Sequence, residues 1–150
     1  MSLILRRLEP VDLESTLSVA REFIETYDGT WYVDSWLDIN NYSNIFFNPT
    51  EGFDTFIARF DNVAGFIIGK PADSRIYEIR HHYVMKNYRQ QGIARKLKQF
   101  LTSYASDNGY RVVHSAVSKD NEASIRLNTA SSWDSLPIEE GYLFFKRLPL

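Results

Sequence analysis

The chain has 150 residues, 44% of them hydrophobic, with a formal net charge of −2 and no cysteine. This length suits one domain with a sizeable core, and the slightly acidic balance lacks the basic excess that is typical of nucleic-acid-binding modules. The absence of cysteine excludes a disulfide, a thiol nucleophile and a cysteine zinc site, and the three histidines are too few and too badly spaced for a metal cage.

The chain contains no run of about 18 apolar residues that would span a membrane, and its first residues do not form a secretory signal. We therefore expect a cytoplasmic protein, with one domain over residues 1–150. We expect no nucleic-acid or membrane partner and no metal, and either a monomer or a homodimer.

The N-terminal part predicts a strand over residues 3–8 and then a helix, for which Pro10 suits the first turn. The apolar residues of this helix recur at helical spacing. They are Leu13, Leu17, Ala20 and Ile24.

Residues 27–47 are rich in aromatic side chains and asparagine, which is a poor helix former, so we expect a short, irregular helix over residues 34–46. The aromatic residues are Tyr27, Trp31, Tyr32, Trp36, Tyr42, Phe46 and Phe47. Either these rings line a pocket for an acceptor substrate, with Trp31 and Tyr32 as candidates, or they fill a small core against a sheet.

Three consecutive strands follow, over residues 53–60, 63–70 and 75–84. The Asp61-Asn62 pair between the first two is typical of a hairpin turn. These strands predict an antiparallel meander.

The stretch from residue 83 to residue 104 is a strand end, a polar turn and a helix that opens at Gly92. The apolar stripe of this helix consists of Ile93, Leu97, Phe100, Leu101 and Tyr104. Arg95, Lys96 and Lys98 lie in its first two turns, where the helix dipole disfavours cations unless an anion is bound there. Gly92 lets a ligand approach the backbone closely. The pattern favours a phosphate-binding helix start over a solvated turn with a basic helix face.

The C-terminal part predicts a helix stop at residues 107–109 and a strand over residues 111–117 that is parallel to the strand before the helix. Asp120 or Asn121 then caps a helix that runs to about residue 130. Residues 131–140 read as irregular, and a last strand covers residues 142–148.

Residues 89–94, Arg-Gln-Gln-Gly-Ile-Ala, match the pattern Arg/Gln-x-x-Gly-x-Gly/Ala. After a strand and at a helix start, this stretch resembles the acetyl-CoA pyrophosphate loop of the GNAT superfamily of N-acetyltransferases. The order of elements along the whole chain is also similar to that of the superfamily. The resemblance implies an α+β fold with a mixed, mostly antiparallel central sheet of about six to seven strands, flanked by about four helices. The implied cofactor-binding residues of the loop are Arg89, Gln90, Gln91, Gly92, Ile93, Ala94 and Arg95.

The resemblance also implies acetyl-CoA as co-substrate, with its pantetheine arm added to the fourth strand where the fourth and fifth strands splay apart. The backbones of Val84 and Met85 would then meet the acetyl carbonyl and the pantetheine, with the Met85 N–H donating to the oxyanion. Asn121 matches an asparagine that contacts the cofactor, although plain N-capping explains it as well.

Asn128 stands where members of the superfamily carry a tyrosine that gives a proton to the departing sulfur, and Ser132 and Trp133 replace a glycine and a phenylalanine. We keep Asn128 as a cofactor-binding candidate whose amide could hydrogen-bond the sulfur. The role of a general acid is thereby in doubt, although Tyr83 or Tyr142 could substitute.

Amide formation needs a neutral amine, and a lysine-like amine with a pKa near 10.4 must lose a proton to a carboxylate or an imidazole. Glu78 is the carboxylate candidate for catalysis and substrate binding, at a distance along its strand similar to that of the base glutamate in some members. Alternatively, it is a solvent-facing residue paired with Arg75 or Arg80. His81 and His82 point to opposite sheet faces. One of them, with His82 as the catalytic candidate, could face the substrate, and either could be a core histidine.

The sequence thus predicts an N-acetyltransferase that moves an acetyl group from acetyl-CoA directly to an amine of a small molecule or a protein, since no cysteine can form an acyl-enzyme. The alternatives are a GNAT-like module that binds acyl-CoA or a partner without catalysis, and an interaction fold that does not bind CoA.

Overall fold

The structure is a computed structural model that describes residues 2–27, 38–47 and 52–149. The strands are β1 Ile4–Arg7, β2 Asp54–Arg59, β3 Val63–Pro71, β4 Ile76–Val84, β5 Val112–Ser118, β6 Asp134–Ile138 and β7 Gly141–Arg147. The helices of these ranges are α1 Leu13–Thr26, α2 Ile39–Phe47, α3 Ile93–Asp107 and α4 Glu122–Ala130, with short 3-10 turns at Pro10–Asp12 and Lys86–Tyr88.

The strands form one seven-stranded sheet in the order β1-β2-β3-β4-β5-β7-β6. Only the β4–β5 pair is parallel among the pairs formed by the described strands. The parallel pair follows from α3, because a helix connection returns the chain to the same end of the sheet. The predicted α+β class, the mixed, mostly antiparallel sheet and the four flanking helices are confirmed.

The prediction that residues 131–140 are irregular is wrong, because β6 forms within them. All five of its residues are exposed, and it pairs with β7 through the backbone at the edge of the sheet. A strand exposed on both faces carries no alternation of apolar and polar residues, so its sequence does not predict it.

Both faces of the sheet are covered. Residues of α3 pack with one face in a core cluster that includes Phe56, Ile67, Tyr77, Leu97 and Leu101. Residues of α1 and α2 pack with the other face in a second cluster that includes Val19, Tyr42, Ile57, Phe66 and Ile68. The central strand β3 is consequently buried on both faces, which explains its nearly continuous apolar run.

The two parallel strands stay together over less than half of β4. The ladder joins Ile76–Ile79 of β4 to residues 112–115 of β5 and then ends. On the other side of β4, Ile68 pairs with His81 and Gly69 pairs with Ile79, which leaves Arg80 as an extra residue in a bulge. A bulge bends its strand and increases its twist, and β4 parts from β5 at this residue. The sheet therefore opens into a cleft at its centre.

Candidate active site

The cleft has a volume of about 1100 Å³ and lies between the separated ends of β4 and β5. Its walls are residues 79–84 of β4, residues 115–118 of β5, the first residues of α3, one side of α4 and the end of α1. The cleft therefore has a side that faces α3 and α4 and a side that faces α1.

The start of α3 borders the cleft, and its first backbone N–H groups have no backbone partner among the described residues. Gly92 has a left-handed φ of 76°, as has Gln90 with 63°, and no heavy atom lies within 4 Å of the position of a Cβ on Gly92. The first helical bond runs from the Lys96 N–H to the Gly92 carbonyl, with an N–O distance of 3.0 Å. The N–H groups before it have no partner within the helix, and they form the end of a helix that attracts anions.

The predicted loop residues lie at this helix start with one exception. Arg89, Gln90, Gly92, Ile93, Ala94 and Arg95 border the cleft. Gln91 is exposed and does not. The three cations of the first two turns also separate, since Arg95 borders the cleft, Lys96 lies on the outer face and Lys98 is buried.

The backbone of β4 determines which groups face the cleft. The N–H of Met85 donates to the carbonyl of Ala64 at 2.9 Å, so it points toward β3. The prediction that this N–H faces the acetyl group is therefore wrong. Hydrogen-bonded and non-hydrogen-bonded pairs alternate along two antiparallel strands. Val84 and Gly65 form a non-hydrogen-bonded pair, and so do His82 and Ile67. The backbone groups of Val84 and His82 therefore point away from β3, toward the free edge of β4.

The side chain of Arg89 helps to hold this edge. Its Nε donates to the carbonyl of Val84 at 3.1 Å, and its guanidinium lies 5.3 Å from the centre of the Tyr83 ring. The N–H of Val84 is thus the backbone donor at the end of β4 that is directed into the cleft.

On the side that faces α1, a carboxylate that sequence reasoning missed is hydrogen-bonded to the cleft wall, although Glu22 itself does not border the cleft. Tyr83 borders the cleft, and its hydroxyl donates to Oε2 of Glu22 at 2.9 Å and lies 3.2 Å from Oγ1 of Thr26. The N–H of Lys86 donates to the same Oε2 at 3.0 Å. Burial raises the pKa of Tyr83, and the hydrogen bond to Glu22 acts in the same direction, so the phenol stays a donor. Nothing in the sequence singles out Glu22, because only the fold brings α1 to this strand.

His81 and His82 lie on opposite faces of the sheet, which confirms the prediction from strand alternation. Nδ1 of His81 lies 3.1 Å from the hydroxyl of Tyr42, on the α1–α2 side, and burial lowers the pKa of His81 to about 3. His82 faces α3, and burial, followed by the charge of Lys98, lowers its pKa to about 3. Both residues border the cleft, and with pKa values this low both rings are neutral at pH 7.

Glu78 does not border the cleft. It is half-buried near the beginning of β4, opposite Lys70 and His114 on the neighbouring strands, and its Oε1 lies 3.9 Å from Nε of Arg80. The contact with Arg80 agrees with the alternative interpretation, in which Glu78 pairs with Arg75 or Arg80, and Glu78 lies beyond the end of the cleft that the bulge defines.

The two asparagines of α4 differ in position. Asn121 borders the cleft, and its Oδ1 accepts from the N–H of Ser124 at 3.1 Å, so it is the N-cap of α4 as predicted. Asn128 is buried behind the cleft wall formed by Ser124 and Leu127. Its Nδ2 donates to the Ser124 carbonyl at 2.8 Å, and its buried Oδ1 has no hydrogen-bond partner among the described residues. The contact of Asn128 with the cofactor stays a prediction.

The predicted substrate residues Trp31 and Tyr32 lie outside the described residues. Within the described ranges, no group of three or more His, Asp or Glu residues is arranged to hold a metal ion. The helices of the same ranges include none that is both long and apolar enough to cross a membrane.

In this α+β protein, two parallel strands separate beside the start of a helix that attracts anions. This arrangement defines a cleft for a nucleotide cofactor. The model of the Acetyltransferase (GNAT) family matches residues 17–129, and the chain belongs to this family. No curated protein sequence matches the chain.

Solved structures share the fold at low sequence identity. The PaiA N-acetyltransferase of Thermoplasma acidophilum, in complex with coenzyme A, is 19% identical, with a TM-score of 0.80 over 98% of this chain and 99% of that one. YncA of Salmonella typhimurium, a putative acetyltransferase with acetyl-CoA, is 18% identical, with a TM-score of 0.77 over 99% and 94%. The ribosomal-protein-alanine N-acetyltransferase of Brucella melitensis is 21% identical, with a TM-score of 0.76 over 98% and 99%.

Proposed function

We propose that the protein is an N-acetyltransferase that moves the acetyl group of acetyl-CoA directly to an amine of a small molecule or a protein. The observation that carries this proposal is that the free edge of β4 and the helix start at Gly92 open into the same cleft. Two solved structures of the same fold contain coenzyme A or acetyl-CoA, which supports the choice of cofactor.

The cofactor would use these two features in sequence. The first-turn N–H groups of α3 and the Arg95 guanidinium would bind the pyrophosphate. The pantetheine arm would add to the free edge of β4 through the backbone groups of His82 and Val84, in the manner of strand addition. The acetyl carbonyl would then lie at the N–H of Val84, which stabilises the negative charge that develops on the carbonyl oxygen during attack.

The acceptor would approach from the side that faces α1, where Glu22 and Tyr83 lie. An acceptor amine arrives mostly as an ammonium at neutral pH, because its pKa is near 10.4 for a lysine-like group. The carboxylate of Glu22, bonded to a residue of the cleft wall, supplies the negative charge that attracts this ammonium and the base that takes its proton. Glu78 is the second candidate for this base, although it lies beyond the cleft.

The transfer itself is a single displacement. The chain contains no cysteine to form a thioester intermediate, so the amine nitrogen attacks the acetyl carbon of the bound cofactor. The C–N bond forms, the C–S bond breaks and the electron pair of that bond leaves with the sulfur of CoA.

A thiol-release assay tests the proposal. The protein is incubated with acetyl-CoA and each of a panel of amines and N-terminal peptides, with matched reactions that lack either protein or amine. We expect amine-dependent release of CoA together with an acetylated product identified by mass. Calorimetric binding of acetyl-CoA without transfer to any amine would instead favour a non-catalytic binding module. Failure to bind acetyl-CoA would overturn the assignment of the cleft as well.

A further inference from the structure

Three strands of the sheet are not covered on the face where α1 and α2 pack. The core cluster that contains α1 and α2 includes residues of β2, β3 and β4, and none of its described members belongs to β5, β6 or β7. On the opposite face, Val113, Val117 and Phe144 are buried with α3. Because side chains alternate between the two faces along a strand, the residues next to these three on β5 and β7 lie on the uncovered face.

This uncovered face is apolar. Leu136 pairs with Leu143, and Leu143 pairs with Ala116, so the three form one row across β6, β7 and β5. Ile138 and Phe145 lie two residues after Leu136 and Leu143, on the same face. Leu136 is 54% exposed and Ile138 is 39% exposed, and Leu143 and Phe145 are half-buried outside both core clusters. We name this surface the apolar shelf; it consists of Ala116, Leu136, Ile138, Leu143 and Phe145.

The apolar shelf begins at the cleft. Ala116 and Ser118 of β5 border the cleft. Ser118 pairs with Gly141, and Gly141 pairs with Ile138. Two rows of residues therefore lead from the cleft wall to the exposed Leu136 and Ile138, across two strand spacings or about 10 Å. The shelf lies on the side that faces α1, from which the acceptor would approach.

The end of the shelf next to the cleft is acidic. Glu139 and Glu140, both exposed, join β6 to β7. The Glu140 carbonyl accepts from the N–H of Lys119 at 3.0 Å, which holds this turn beside the end of β5. The ion pairs formed among the described residues include neither carboxylate. An ammonium group that reaches the cleft along the shelf would be attracted by these charges.

The size of the shelf indicates what it binds. Three strands with a spacing of about 4.8 Å and five residues of about 3.4 Å give a surface of about 14 Å by 17 Å, or about 240 Å². A stable dimer buries about 800 Å² on each partner, so the shelf is too small to hold a second copy of the chain by itself. An extended chain of about four residues spans the same 14 Å. The shelf lies on one side of the cleft, which suits a chain that ends at the reacting amine.

We propose that the acceptor is the N-terminus of a polypeptide whose first residues carry apolar side chains, an inference that rests on the proposed function. The α-amino group would reach the acetyl carbon in the cleft, and the next residues would cross the apolar shelf, where Leu136 and Ile138 contact their side chains. A small amine would fill the cleft and leave the shelf unused. An α-amino group has a pKa of about 7.7–8.0, so it also loses its proton more readily than a lysine-like amine.

The test compares acceptors that share the reacting amine. The substrates are X-Leu-Thr-Val-Thr-Gly amide, X-Asn-Thr-Ser-Thr-Gly amide and the amide of X alone, where X is Gly, Ala, Ser, Thr or Met. Thiol release from acetyl-CoA gives kcat/KM, and mass spectrometry locates the acetyl group. Because apolar side chains gain by leaving water, we expect kcat/KM of the apolar peptide to exceed that of the other two substrates at least tenfold for the best X.

Substitutions on the shelf give a second readout. Leu136→Ser and Ile138→Ser should each reduce the preference for the apolar peptide over the polar peptide at least threefold, mainly through a higher KM. Val11→Ser is the matched control, since Val11 is 74% exposed in the turn before α1, away from the shelf. This variant should keep the wild-type preference. All three positions are exposed, so the substitutions remove little buried surface from the fold.

The outcomes separate the inference from the proposed function. Equal kcat/KM for the three substrates in the wild type, or transfer to small amines alone, would overturn the inference while the proposed function stands. A preference for the apolar peptide that Leu136→Ser and Ile138→Ser leave unchanged would overturn the role of the shelf. A mass that doubles with concentration in light scattering, and returns to that of one chain in Leu136→Ser, would show that a second copy occupies the shelf instead. Absence of transfer to every amine and peptide would overturn the proposed function and the inference with it.

Discussion

The hydroxyl of Tyr83 donates a hydrogen bond of 2.9 Å to Oε2 of Glu22, a residue that precedes it by 61 positions. This bond fixes a carboxylate of α1 against the wall of the cleft, and the backbone N–H of Lys86 donates to the same oxygen. The relationship defines the acceptor side of the proposed site, because it holds a negative charge near the end of β4, where that strand is separated from β5.

Glu22→Gln should lower the amine-dependent rate at pH 7 by roughly 10²-fold. The glutamine oxygen can still accept from Tyr83, so the substitution removes the charge and the base while it keeps the hydrogen bond. The loss should shrink at high pH, where the acceptor amine is deprotonated without help. Steady-state rates across pH check this expectation, together with calorimetry, which should show a nearly unchanged affinity for acetyl-CoA.

Two further variants separate the candidates for the base. Glu78→Gln should retain most of the activity, because Glu78 is paired with Arg80 whereas Glu22 is bonded to Tyr83 of the cleft wall. Glu25→Gln removes an exposed carboxylate from the same helix as Glu22 and should keep the wild-type rate. A large loss in Glu78→Gln with wild-type rates in Glu22→Gln would reverse the assignment. Wild-type rates in both variants would indicate that solvent, and neither carboxylate, takes the proton of the amine.

Gly92→Glu should weaken the binding of acetyl-CoA at least tenfold, which corresponds to about 1.4 kcal/mol. The new side chain and its negative charge would oppose the pyrophosphate at the start of α3. Gly109→Glu is a matched control, because Gly109 also has a left-handed φ, of 84°, with nothing within 4 Å of a Cβ, but it lies at the other end of α3. Both variants carry the same backbone strain, so equal calorimetric affinities in the two would refute the location of the phosphate site.

The features that the sequence predicts well depend on local patterns. The apolar stripe of α3 lies against the sheet, and the helix begins after Gly92 as its glycine and its basic first turns suggest. The meander of β2, β3 and β4 follows from strand periodicity and from one hairpin turn. Such signals are contained in a few neighbouring residues, so they can be recognised without knowledge of the tertiary structure.

The features that the sequence misses depend on distant contacts or on hydrogen-bond register. Lys98 reads as one of three surface cations, yet its position on α3 turns it toward Trp133 and the interior. The direction of the Met85 N–H depends on the register between β3 and β4, which periodicity alone does not determine. Glu22 becomes part of the site only because α1 packs beside β4.

Asn128→Ala should lower turnover by no more than about tenfold. Its Nδ2 donates to the Ser124 carbonyl within α4, so we expect the side chain to support the helix more than the departing sulfur. Loss of that bond should reduce the free energy of unfolding by about 0.5–1.5 kcal/mol. Single-turnover acetyl transfer at saturating acetyl-CoA is the appropriate measurement, and a thousandfold loss would show that Asn128 contacts the reacting groups.

Asp12→Asn should lower the free energy of unfolding by about 1.5–3 kcal/mol, the range for the loss of hydrogen bonds to a charged group. Asp12 is fully buried at the beginning of α1. It accepts from Nη2 of Arg6 at 2.6 Å, from the N–H of Glu9 at 2.9 Å and from Nη1 of Arg59. The substitution removes this carboxylate from both guanidinium groups, although Arg6 keeps its ion pair with Glu9 at 3.4 Å. Urea unfolding at pH 7 measures the effect.

The pKa of the Asp12 carboxyl group determines how the free energy of unfolding should depend on pH. Burial alone would raise the pKa of Asp12, but the hydrogen bonds from Arg6, Glu9 and Arg59 outweigh burial and hold the pKa below its usual value. Since the unfolded chain binds a proton at about pH 3.9, the stabilisation is complete above that pH and is lost as the pH falls through the lower pKa of the folded state. Urea unfolding between pH 7 and pH 3 should therefore show a smaller acid-dependent loss in Asp12→Asn than in the wild type. Asp134→Asn, at an exposed position, should follow the wild-type curve, and parallel curves for wild type and Asp12→Asn would show that Asp12 titrates alike in the folded and unfolded chains.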